Sequence, residues 1–362
     1  MQTDWGRKYW DWLAEYALPL WATTGVDAEG GFEELLGSDG RPAKAPRRSR
    51  VQARQSFVFA HAGRLGWKGP WEQIAPVGLD WLDRHCRRED GLYSTLSAPG
   101  GAVMDAAAMT YDQAFVLLAM SELHRHGARG RWEQKALGLL DRVQILRRHP
   151  AGGFVEQDGR FLSNPHMHLL EACLAWVEAD GAPVWRDVAG EIVNLALDRF
   201  IDPGKKVLRE IFDSEWHPAP GGDGETVEPG HQFEWAWLLE RWARQTRNVR
   251  AHDAAVALFA AGLRGVDVHH GAVTDETDTD FAPRRATARL WPQTEWLKAA
   301  CILNDTVQRD AAAAMLWRYL ETPKAGLWRD KMREDGSFVA EPAPASSLYH
   351  IICAVAALKE AA

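Results

Sequence analysis

The sequence predicts an all-α fold in which six helix pairs close into a ring, a helical toroid with short β-turns or hairpins at its rim. A short turn, usually glycine followed by an aromatic residue, recurs about every sixty residues, and two helix-length amphipathic runs follow each turn. Such a period is typical of one supersecondary unit that is repeated because no unit can bury its apolar face alone. The six turns are Gly30-Gly31-Phe32, Gly91-Leu92-Tyr93, Gly152-Gly153-Phe154, Leu208-Arg209-Glu210 within Lys205–Asp213, His270-Gly271-Ala272-Val273 and Gly326-Leu327-Trp328.

Twelve helices are predicted from apolar residues that recur at i, i+3, i+4 and i+7. Trp235, Leu238, Leu239 and Trp242 follow this spacing, and prolines such as Pro229 stand near several helix starts. The predicted ranges are 4–22, 50–65, 72–88, 105–126, 132–147, 165–179, 184–200, 230–245, 250–265, 290–304, 307–320 and 345–360.

The composition favours one large domain. The chain has 362 residues, 46% of them hydrophobic, and its 18 tryptophans suit a large core and an aromatic-lined cavity. Because no linker of Pro, Gly and Ser interrupts the pattern, residues 1–362 are predicted to form a single domain. The net charge of -8 argues against nucleic acid or an anionic membrane as the main partner.

The cysteines and the chain termini indicate a soluble, cytoplasmic protein. Cys86, Cys173, Cys301 and Cys353 are isolated, so neither a disulfide framework nor a thiolate zinc site is predicted. The N-terminal run lacks the pattern of a signal peptide, and the longest apolar run is too short to span a bilayer.

One basic run, Arg41 to Arg50, stands out in this acidic chain. Its simplest interpretation is a solvated loop. The alternative is a mobile loop at the mouth of the ring that meets anionic or polyhydroxyl substrates.

The direction of the helices predicts a shared site. In an up-and-down ring alternate helices point the same way, so the helices that follow the six turns begin at one rim. A lone histidine on a helix is more often structural. A site is predicted here because many polar groups converge on one rim. The polar residues near those six starts are Arg54, Tyr111, Asp112, Asn164, His168, His231, Glu234, Glu295 and His350.

Local spacing sharpens this expectation. His231 with Glu234, and His168 with Glu171, are pairs at i and i+3, and a carboxylate so placed can orient the imidazole and raise its basicity. His166 falls about 200° around the helix from His168, so the His-x-His run does not predict a metal pair. We expect no metal and no cofactor.

Two further features concern the same rim. Asn164 precedes a proline and either caps its helix or reaches a ligand. Trp235, Trp237 and Trp291 lie near the predicted mouth, where an indole could stack on a sugar face.

Several runs resemble the N-acylglucosamine 2-epimerase superfamily, which also includes mannose isomerases, sulfoquinovose-type aldose–ketose isomerases and cellobiose 2-epimerases. They are NPHMHLLEA, EPGHQFEWAWLL, RLWPQTEWLKAA and SLYHII, together with VQARQSF around Arg54 and YDQAFVLLA. The resemblance covers nearly the whole chain. It implies an (α/α)6 barrel that catalyses proton transfer without a metal.

The resemblance also implies roles for individual residues. The superfamily's functional histidines match His168, His231 and His350, its glutamates match Glu234 and Glu295, and its sugar-contacting arginine matches Arg54. Asn164 and Trp291 fall on further pocket positions.

The implied chemistry needs only general acids and bases. An opened aldose loses the proton alpha to its C1 carbonyl and passes through a cis-enediol or enediolate, and histidines can move both protons. We expect His350 to take the C2 proton, and His231, held by Glu234, to open the ring or deliver the second proton; the two roles could exchange. Arg54 and His168 would bind the oxygens where negative charge develops.

The remaining site residues are expected to bind or orient substrate. Glu295 would orient the substrate or a neighbouring side chain. The other members of this set are Tyr111, Asn164, Glu171 and Trp291.

The expected activity is interconversion of D-mannose, or a close analogue such as lyxose, with D-fructose. The surroundings of Met167-His168 and Leu348-Tyr349-His350 look closest to the mannose and sulfoquinovose-type isomerases. A sugar 2-epimerase of the N-acylglucosamine, mannose/glucose or cellobiose type is an alternative on the same residues. So is a mannose-6-phosphate isomerase, because Arg47, Arg48 and Arg50 could fold over the mouth.

Two alternative interpretations place the chain in other functional classes of protein. An inverting glycosidase would need two carboxylates about 6.5–9.5 Å apart across the pocket, for which Asp112 and Glu295 are the candidates. A non-catalytic sugar-binding or scaffold protein would bind sugars without converting them. Whatever its activity, a ring with so many surface helices could form a homodimer.

Overall fold

In the computed structural model, which describes residues 3–126 and 131–361, the helices form two concentric rings. The outer ring contains α1 (Trp5–Trp12) with α2 (Leu18–Thr23), α4 (Trp71–Ile74) with α5 (Val77–His85), α7 (Arg131–Arg147), α9 (Val184–Leu195), α11 (Val249–Arg264) and α13 (Thr306–Leu320). The inner ring contains α3 (Ser49–Arg64), α6 (Thr110–Arg125), α8 (Ser163–Glu178), α10 (Pro229–Thr246), α12 (Leu290–Ile302) and α14 (Ser346–Glu360). This is the expected (α/α)6 barrel.

The ring closes between its first and last repeats. Each inner helix packs against the next, and α14 packs against α3. At the rim β1 (Leu35–Leu36) pairs antiparallel with β11 (Ala343–Pro344), which joins the two ends of the chain by backbone hydrogen bonds. The first and last repeats are therefore fixed to each other at the rim as well as in the core.

Short antiparallel pairings occupy the rest of this rim, as the sequence led us to expect. The other strands are β2 (Arg47–Arg48), β3 (Leu96–Ser97), β4 (Val103–Asp105), β5 (Phe161–Leu162), β6 (Ile211–Phe212), β7 (Glu276–Thr277), β8 (Pro283–Arg285), β9 (Ala288–Arg289) and β10 (Lys331–Met332). The helix predicted over 105–126 instead begins at Thr110, because Val103–Asp105 pairs with Leu96–Ser97. The π-helical turn Leu13–Ala17 joins α1 to α2, and the π-helical turn Ala196–Phe200 extends α9 at its C-terminal end.

The inner helices are buried on nearly every side, whereas the outer ones are amphipathic. In α8, for example, thirteen of the sixteen residues are buried, including polar ones. A helix enclosed in this way must satisfy its polar side chains internally. Polar side chains on the inner helices are therefore hydrogen-bonded to one another or to the turns, or they face a cavity.

The repeated turns are held by one side chain from each of five inner helices. That side chain accepts a hydrogen bond from the backbone N–H of the apolar turn residue, at 2.8–2.9 Å in every case. The pairs are Gln52 with Phe32, Gln113 with Tyr93, His166 with Phe154, Gln232 with Leu208 and Gln293 with Val273. This contact is the structural basis of the sixty-residue period, even in the turns whose sequence is degenerate.

A second repeated feature lies two residues after the apolar turn residue. There a polar side chain binds the start of an inner helix; Glu156, for example, accepts from the backbone N–H groups of Thr110 and Tyr111. Carboxylates at such positions satisfy free N–H groups and favour the helix dipole. The six residues are Glu34, Thr95, Glu156, Glu210, Asp275 and Asp330.

The core between the rings is rich in tryptophan. Trp176 and Trp185 stack with ring centroids 5.1 Å apart, and Trp21 stacks on Trp328 at 4.9 Å. Each pair joins an inner helix or turn to an outer helix. The four cysteines are buried and are not bonded to one another. Within the described ranges, no helix is both long and apolar enough to cross a membrane.

Candidate active site

A cavity of about 810 Å³ opens at the rim where the inner helices begin. This is the rim that the helix-direction argument selected. Eight of the ten predicted site residues line it: Arg54, Tyr111, Asn164, His168, His231, Glu234, Trp291 and His350. The other two are buried behind the cavity wall, where Glu295 is hydrogen-bonded to His350 and Glu171 lies 3.6 Å from His168.

His350 is held by Glu295 from the neighbouring helix α12. The imidazole Nδ1 lies 2.9 Å from Glu295 Oε1, so Nε2 is the nitrogen left for a ligand. Burial lowers the pKa of His350 to about 4, against the opposing effect of the hydrogen bond to Glu295. His350 is therefore neutral at physiological pH and can accept a proton.

His231 is held by Glu210, and the prediction that Glu234 holds it is wrong. Its Nδ1 lies 3.0 Å from Glu210 Oε2, on the turn that precedes α10. Burial alone would lower the pKa of His231, but the carboxylates of Glu210 and Glu228 outweigh it and raise the pKa to about 10. His231 is therefore protonated at physiological pH and can donate a proton.

Glu234 points elsewhere because an i, i+3 spacing only brings two side chains to one face of a helix. Glu234 Oε1 lies 3.7 Å from His168 Nδ1 and has no hydrogen-bond partner among the described residues. Burial, reinforced by Glu295, raises the pKa of Glu234 well above its usual range. Glu234 thus faces the cavity beside two histidines, in surroundings that favour its protonated form.

His168 does lie near Glu171, as its spacing predicts. Its Nδ1 is 3.6 Å from Glu171 Oε2, which also accepts a hydrogen bond from the Tyr349 hydroxyl. Burial lowers the pKa of His168 to about 4, despite the opposing effect of Glu171. A second neutral imidazole therefore faces the cavity.

His168, Glu171 and Glu234 each place a ligand-type atom within 4.8 Å of the others, and this set could hold a metal ion. The neighbours fit that role poorly, since the hydroxyl of Tyr349 already occupies Glu171 Oε2. The guanidinium of Arg54 also lowers the pKa of His168 by its charge, so it disfavours another cation at this place.

Arg54 crosses the cavity floor between aromatic rings. Its guanidinium lies 4.0 Å from the ring centroid of Phe115, and Nη2 donates to the Tyr111 hydroxyl at 2.9 Å. The Nε group has no hydrogen-bond partner in the described part of the chain. This side chain therefore keeps hydrogen-bonding capacity, in a charged group, for a bound oxygen.

Asn164 lines the cavity near the start of α8, which begins one residue earlier at Ser163. Its Oδ1 is buried without a hydrogen-bond partner among the described residues. Of the two roles considered for Asn164, this geometry favours contact with a ligand over capping of the helix.

Trp291 is the tryptophan of the predicted trio that faces the cavity. Its ring centroid lies 5.0 Å from that of His231 and 5.9 Å from that of His350. Gly230 permits this position, because a Cβ there would lie 2.6 Å from the Trp291 ring. The prediction is wrong for Trp235, which is fully buried in the core, and for Trp237, which lines a smaller cavity of about 290 Å³ at the other end of the barrel.

The basic run is not a solvated loop at its C-terminal end, and Arg47 does not fold over the mouth. Arg47 is buried against the Trp81 ring at 4.3 Å and is paired with Asp27. Arg48 and Arg50 line the cavity, paired with Glu34 at 2.8 Å and Asp112 at 3.1 Å. The hydrophobicity pattern of the sequence could not predict these ion pairs, because the acidic partners of the arginines are distant in sequence.

The two carboxylates that an inverting glycosidase would need do not face the cavity. Asp112 is completely buried and bound by Arg50 and Thr95, and Glu295 is completely buried against His350. Neither residue lines the cavity. As predicted, His166 does not point into the cavity. Its Nε2 instead accepts a hydrogen bond from the backbone N–H of Phe154 in the third turn.

Glu210 is the site residue that sequence reasoning missed. It lies in the fourth turn, two residues after Leu208, and so belongs to the repeated series of polar residues that begins with Glu34. Aligning the six turns with one another would have revealed that series, since five of its six members are acidic. A carboxylate at this place binds the start of an inner helix and is therefore close to the site.

With this geometry established, the chain can be compared with known proteins. The model of the N-acylglucosamine 2-epimerase (GlcNAc 2-epimerase) family matches residues 30–354. The chain belongs to this family. The resemblance inferred from the sequence motifs is thus confirmed over most of their span.

Proteins with similar sequences are named isomerases and epimerases. The chain is 46% identical over 373 aligned positions to the mannose-6-phosphate isomerase of Rhizobium meliloti (strain 1021), covering 96% of this chain and 95% of that protein. It is 29% identical over 324 positions to the D-mannose isomerase of Thermobifida fusca, covering 81% and 78%. The chain is an enzyme of this class.

Comparison with a solved structure supports the fold. A crystal structure of D-mannose isomerase superimposes with a TM-score of 0.91 at 22% identity and covers 99% of both chains. At that identity the likeness establishes the (α/α)6 barrel, and the chemistry must be argued from the site.

Proposed function

We propose that this enzyme interconverts a mannose-configured aldose and the corresponding ketose through an enediolate, with His350 as base and His231 as acid. The observation that carries the proposal is the opposite displacement of two pKa values in one cavity, to about 4 for His350 and about 10 for His231. When environments separate two titrating groups in this way, they assign the acid and the base.

The first chemical step is removal of the C2 proton of the open-chain sugar. Neutral His350 accepts this proton at Nε2 while Glu295 holds Nδ1 and stabilises the imidazolium that forms. The electron pair of the C2–H bond moves into a new C1–C2 double bond, and the carbonyl π electrons move onto O1. The product of this step is an enediolate with its negative charge on O1.

The charge on that oxygen needs donors that are already in place. Arg54 supplies a guanidinium that lines the cavity, and protonated His231 supplies an N–H from another inner helix. Preorganised donors of this kind stabilise developing charge without reorganisation. Protonated His231 gives a proton to O1, and His350 returns to C1 the proton that it took from C2. The O2 proton passes to His231 as the C2 carbonyl forms, which gives the ketose.

Opening the sugar ring is a separate proton transfer. Glu234 lies in the cavity wall 3.7 Å from His168, burial raises its pKa, and either group can exchange a proton with the ring oxygen or the anomeric hydroxyl. Asn164 and Trp291 would bind the remaining hydroxyls and one face of the sugar.

The substrate class is argued from two observations. The relative at 46% identity is named a mannose-6-phosphate isomerase, and Arg48 and Arg50 line the same cavity as the histidines. Both favour the 6-phosphate over free D-mannose. Both arginines are already paired with carboxylates, however, so free D-mannose is the substrate to test beside it.

A 2-epimerase is the second candidate, and the family's own name favours it. An epimerase would return the proton to C2 from the opposite face, and the two histidines that flank Trp291 could act as that pair of bases. The two activities differ only in where the proton returns.

Proton NMR in D2O tests this proposal in one experiment. The purified enzyme is dialysed against EDTA and incubated separately with D-mannose and with D-mannose 6-phosphate. We expect a ketose with deuterium at C1, with the same rate before and after EDTA. An aldose deuterated at C2 would establish an epimerase, and loss of activity that Zn²⁺, Mn²⁺ or Mg²⁺ restores would assign a metal to His168, Glu171 and Glu234.

A further inference from the structure

A buried lysine, Lys298, lies directly behind the proposed catalytic base. It stands three residues after Glu295 on α12, and its side chain is 0% exposed. The ammonium Nζ donates to Glu295 Oε2 at 2.6 Å, and Glu295 Oε1 accepts from His350 Nδ1 at 2.9 Å. One carboxylate therefore joins the lysine to the histidine.

The setting of Lys298 is unusual for a lysine, which is almost never fully buried unless it is paired. Its Nζ lies 3.9 Å from the ring centroid of Trp237, at the border of the smaller cavity at the far end of the barrel. The titratable and charged groups that face Lys298, Glu295 and His350 are Arg54 on α3, His168 and Glu171 on α8, Glu234 on α10 and Cys353 on α14.

The role of Lys298 follows from what Glu295 would do without it. Burial alone would raise the pKa of Glu295, and the nearby ammonium of Lys298, together with His350, lowers it below its ordinary value. An ionised Glu295 can only accept a hydrogen bond, so it fixes the proton of neutral His350 on Nδ1. Nε2 then carries the lone pair that a base requires.

Loss of the lysine charge would reverse this arrangement. A buried Glu295 without its counter-ion would take up a proton, because an unpaired buried carboxylate is unstable. A protonated Glu295 can donate to Nδ1, which would move the histidine proton to Nε2 and leave no lone pair for the C2 proton of the sugar. His350 would still be in place, but as the wrong tautomer.

We propose that Lys298 is a positioning residue that keeps Glu295 ionised and thereby holds His350 in the tautomer that can act as the base. The proposal rests on the proposed function, in which His350 takes the C2 proton. Lys298 acts through Glu295 and does not contact the sugar, since it does not line the cavity that contains the histidines.

The test compares Lys298→Met with Lys298→Arg, and uses Arg241→Met as the matched control. Arg241 is another largely buried cation, paired with Glu178 at 2.7 Å on the wall of the far cavity. Lys298→Met should lower kcat near pH 7 by about 10–100-fold, the usual effect of removing a partner that orients a histidine. KM should change little, and Lys298→Arg should recover part of the loss.

The pH dependence separates positioning from mere support of the fold. Glu295 must be ionised for activity, so when its pKa rises in Lys298→Met the acid limb of the rate profile should move to higher pH. The deficit should then shrink as the pH is raised. Arg241→Met should leave the limb where it is, even if that variant is equally destabilised.

A double-mutant cycle with Glu295→Gln supplies a second readout. If Lys298 acts only through Glu295, adding Lys298→Met to Glu295→Gln should cost no further activity. Additive losses, or a Lys298→Met variant with an unchanged acid limb, would overturn the proposal.

Proton NMR of the resting enzyme keeps this test independent of turnover. The Nδ1–H of His350 bonded to Glu295 should give a downfield resonance that His350→Gln removes, which assigns it. That resonance should be lost in Lys298→Met and retained in Arg241→Met. If the resonance behaves in this way but His350→Gln is fully active, the proposed function fails while the tautomer relay stands; if it persists unchanged in Lys298→Met, the relay fails by itself.

Discussion

The Nδ1 atom of His231 is 3.0 Å from Glu210 Oε2, a carboxylate that the preceding turn brings to the start of α10. The same oxygen accepts a hydrogen bond from the Ser163 hydroxyl at 2.9 Å. Glu210 therefore joins the third and fourth inner helices at the rim and keeps His231 charged. One turn residue thus connects the packing of the barrel to the acid of the proposed reaction.

Glu210→Gln should shift the basic limb of the rate profile to lower pH. The neutral amide removes the main carboxylate that raises the pKa of His231, so the imidazolium would deprotonate earlier as the pH rises. Steady-state kinetics from neutral to alkaline pH measure the shift. Glu178→Gln is the matched control, because Glu178 is a carboxylate on the wall of the smaller cavity at the other end of the barrel; an equal shift in both variants would refute the role of Glu210.

His350→Gln should lower kcat by about 10²–10⁴-fold, the usual contribution of one general acid or base. His350 faces the cavity, and its one hydrogen bond to a described residue joins Nδ1 to Glu295, so the variant should fold normally and still bind the sugar. His269→Gln, on an exposed turn, serves as a control for histidine loss. Near-full activity of His350→Gln would remove His350 from the mechanism.

Arg54→Met should lower kcat/KM by about 10²–10³-fold, since one preorganised donor to a developing oxyanion has about that effect. The thermal stability should change little, because the Arg54 guanidinium is bonded to the Tyr111 hydroxyl and its loss exposes no buried carboxylate partner among the described residues. Arg54→Lys should recover part of the activity. A variant whose melting temperature falls as sharply as its activity would instead indicate a structural role.

His166→Gln should make the protein more resistant to acid. Burial lowers the pKa of His166 to about 4 from the ordinary value of 6.5. A group with a depressed folded-state pKa contributes stability that is present above the unfolded pKa and is lost as the pH falls toward the folded one. That loss amounts to about 2 kcal/mol between pH 7 and pH 5 for one such histidine.

Glutamine is the natural replacement because four other inner helices use it at this position. Gln113 accepts from the turn N–H and donates to the carbonyl four residues before it, as His166 does through Nε2 and Nδ1. Urea unfolding at pH 7 and pH 5 measures the effect. A variant that loses as much stability on acidification as the parent would show that His166 does not titrate in this range.

The sequence predicted the architecture well for a physical reason. A repeat of sixty residues with two amphipathic runs has few ways to bury six apolar faces, and a closed ring is one of them. The direction of the helices then predicted that residues as distant in sequence as Arg54 and His350 would line one cavity, and both line it.

The partners of those side chains could not be predicted as well. Glu234 shares a helix face with His231, yet the hydrogen bond comes from Glu210 on another element, because contacts between elements depend on rotamers and packing distances. The basic run was misjudged for the same reason, since Arg50 is paired with Asp112, sixty-two residues away. Lys298 gave no signal beyond its helix spacing to Glu295.

The most direct test of this account is the pH dependence of kcat/KM with D-mannose, or of kcat if only the 6-phosphate is converted. The base must be neutral and the acid protonated, so activity should form a broad plateau that falls only near pH 4, as His350 takes up a proton, and near pH 10, as His231 loses one. A limb close to the ordinary histidine value of 6.5, on either side of the optimum, would contradict the assignment of neutral His350 as base and charged His231 as acid.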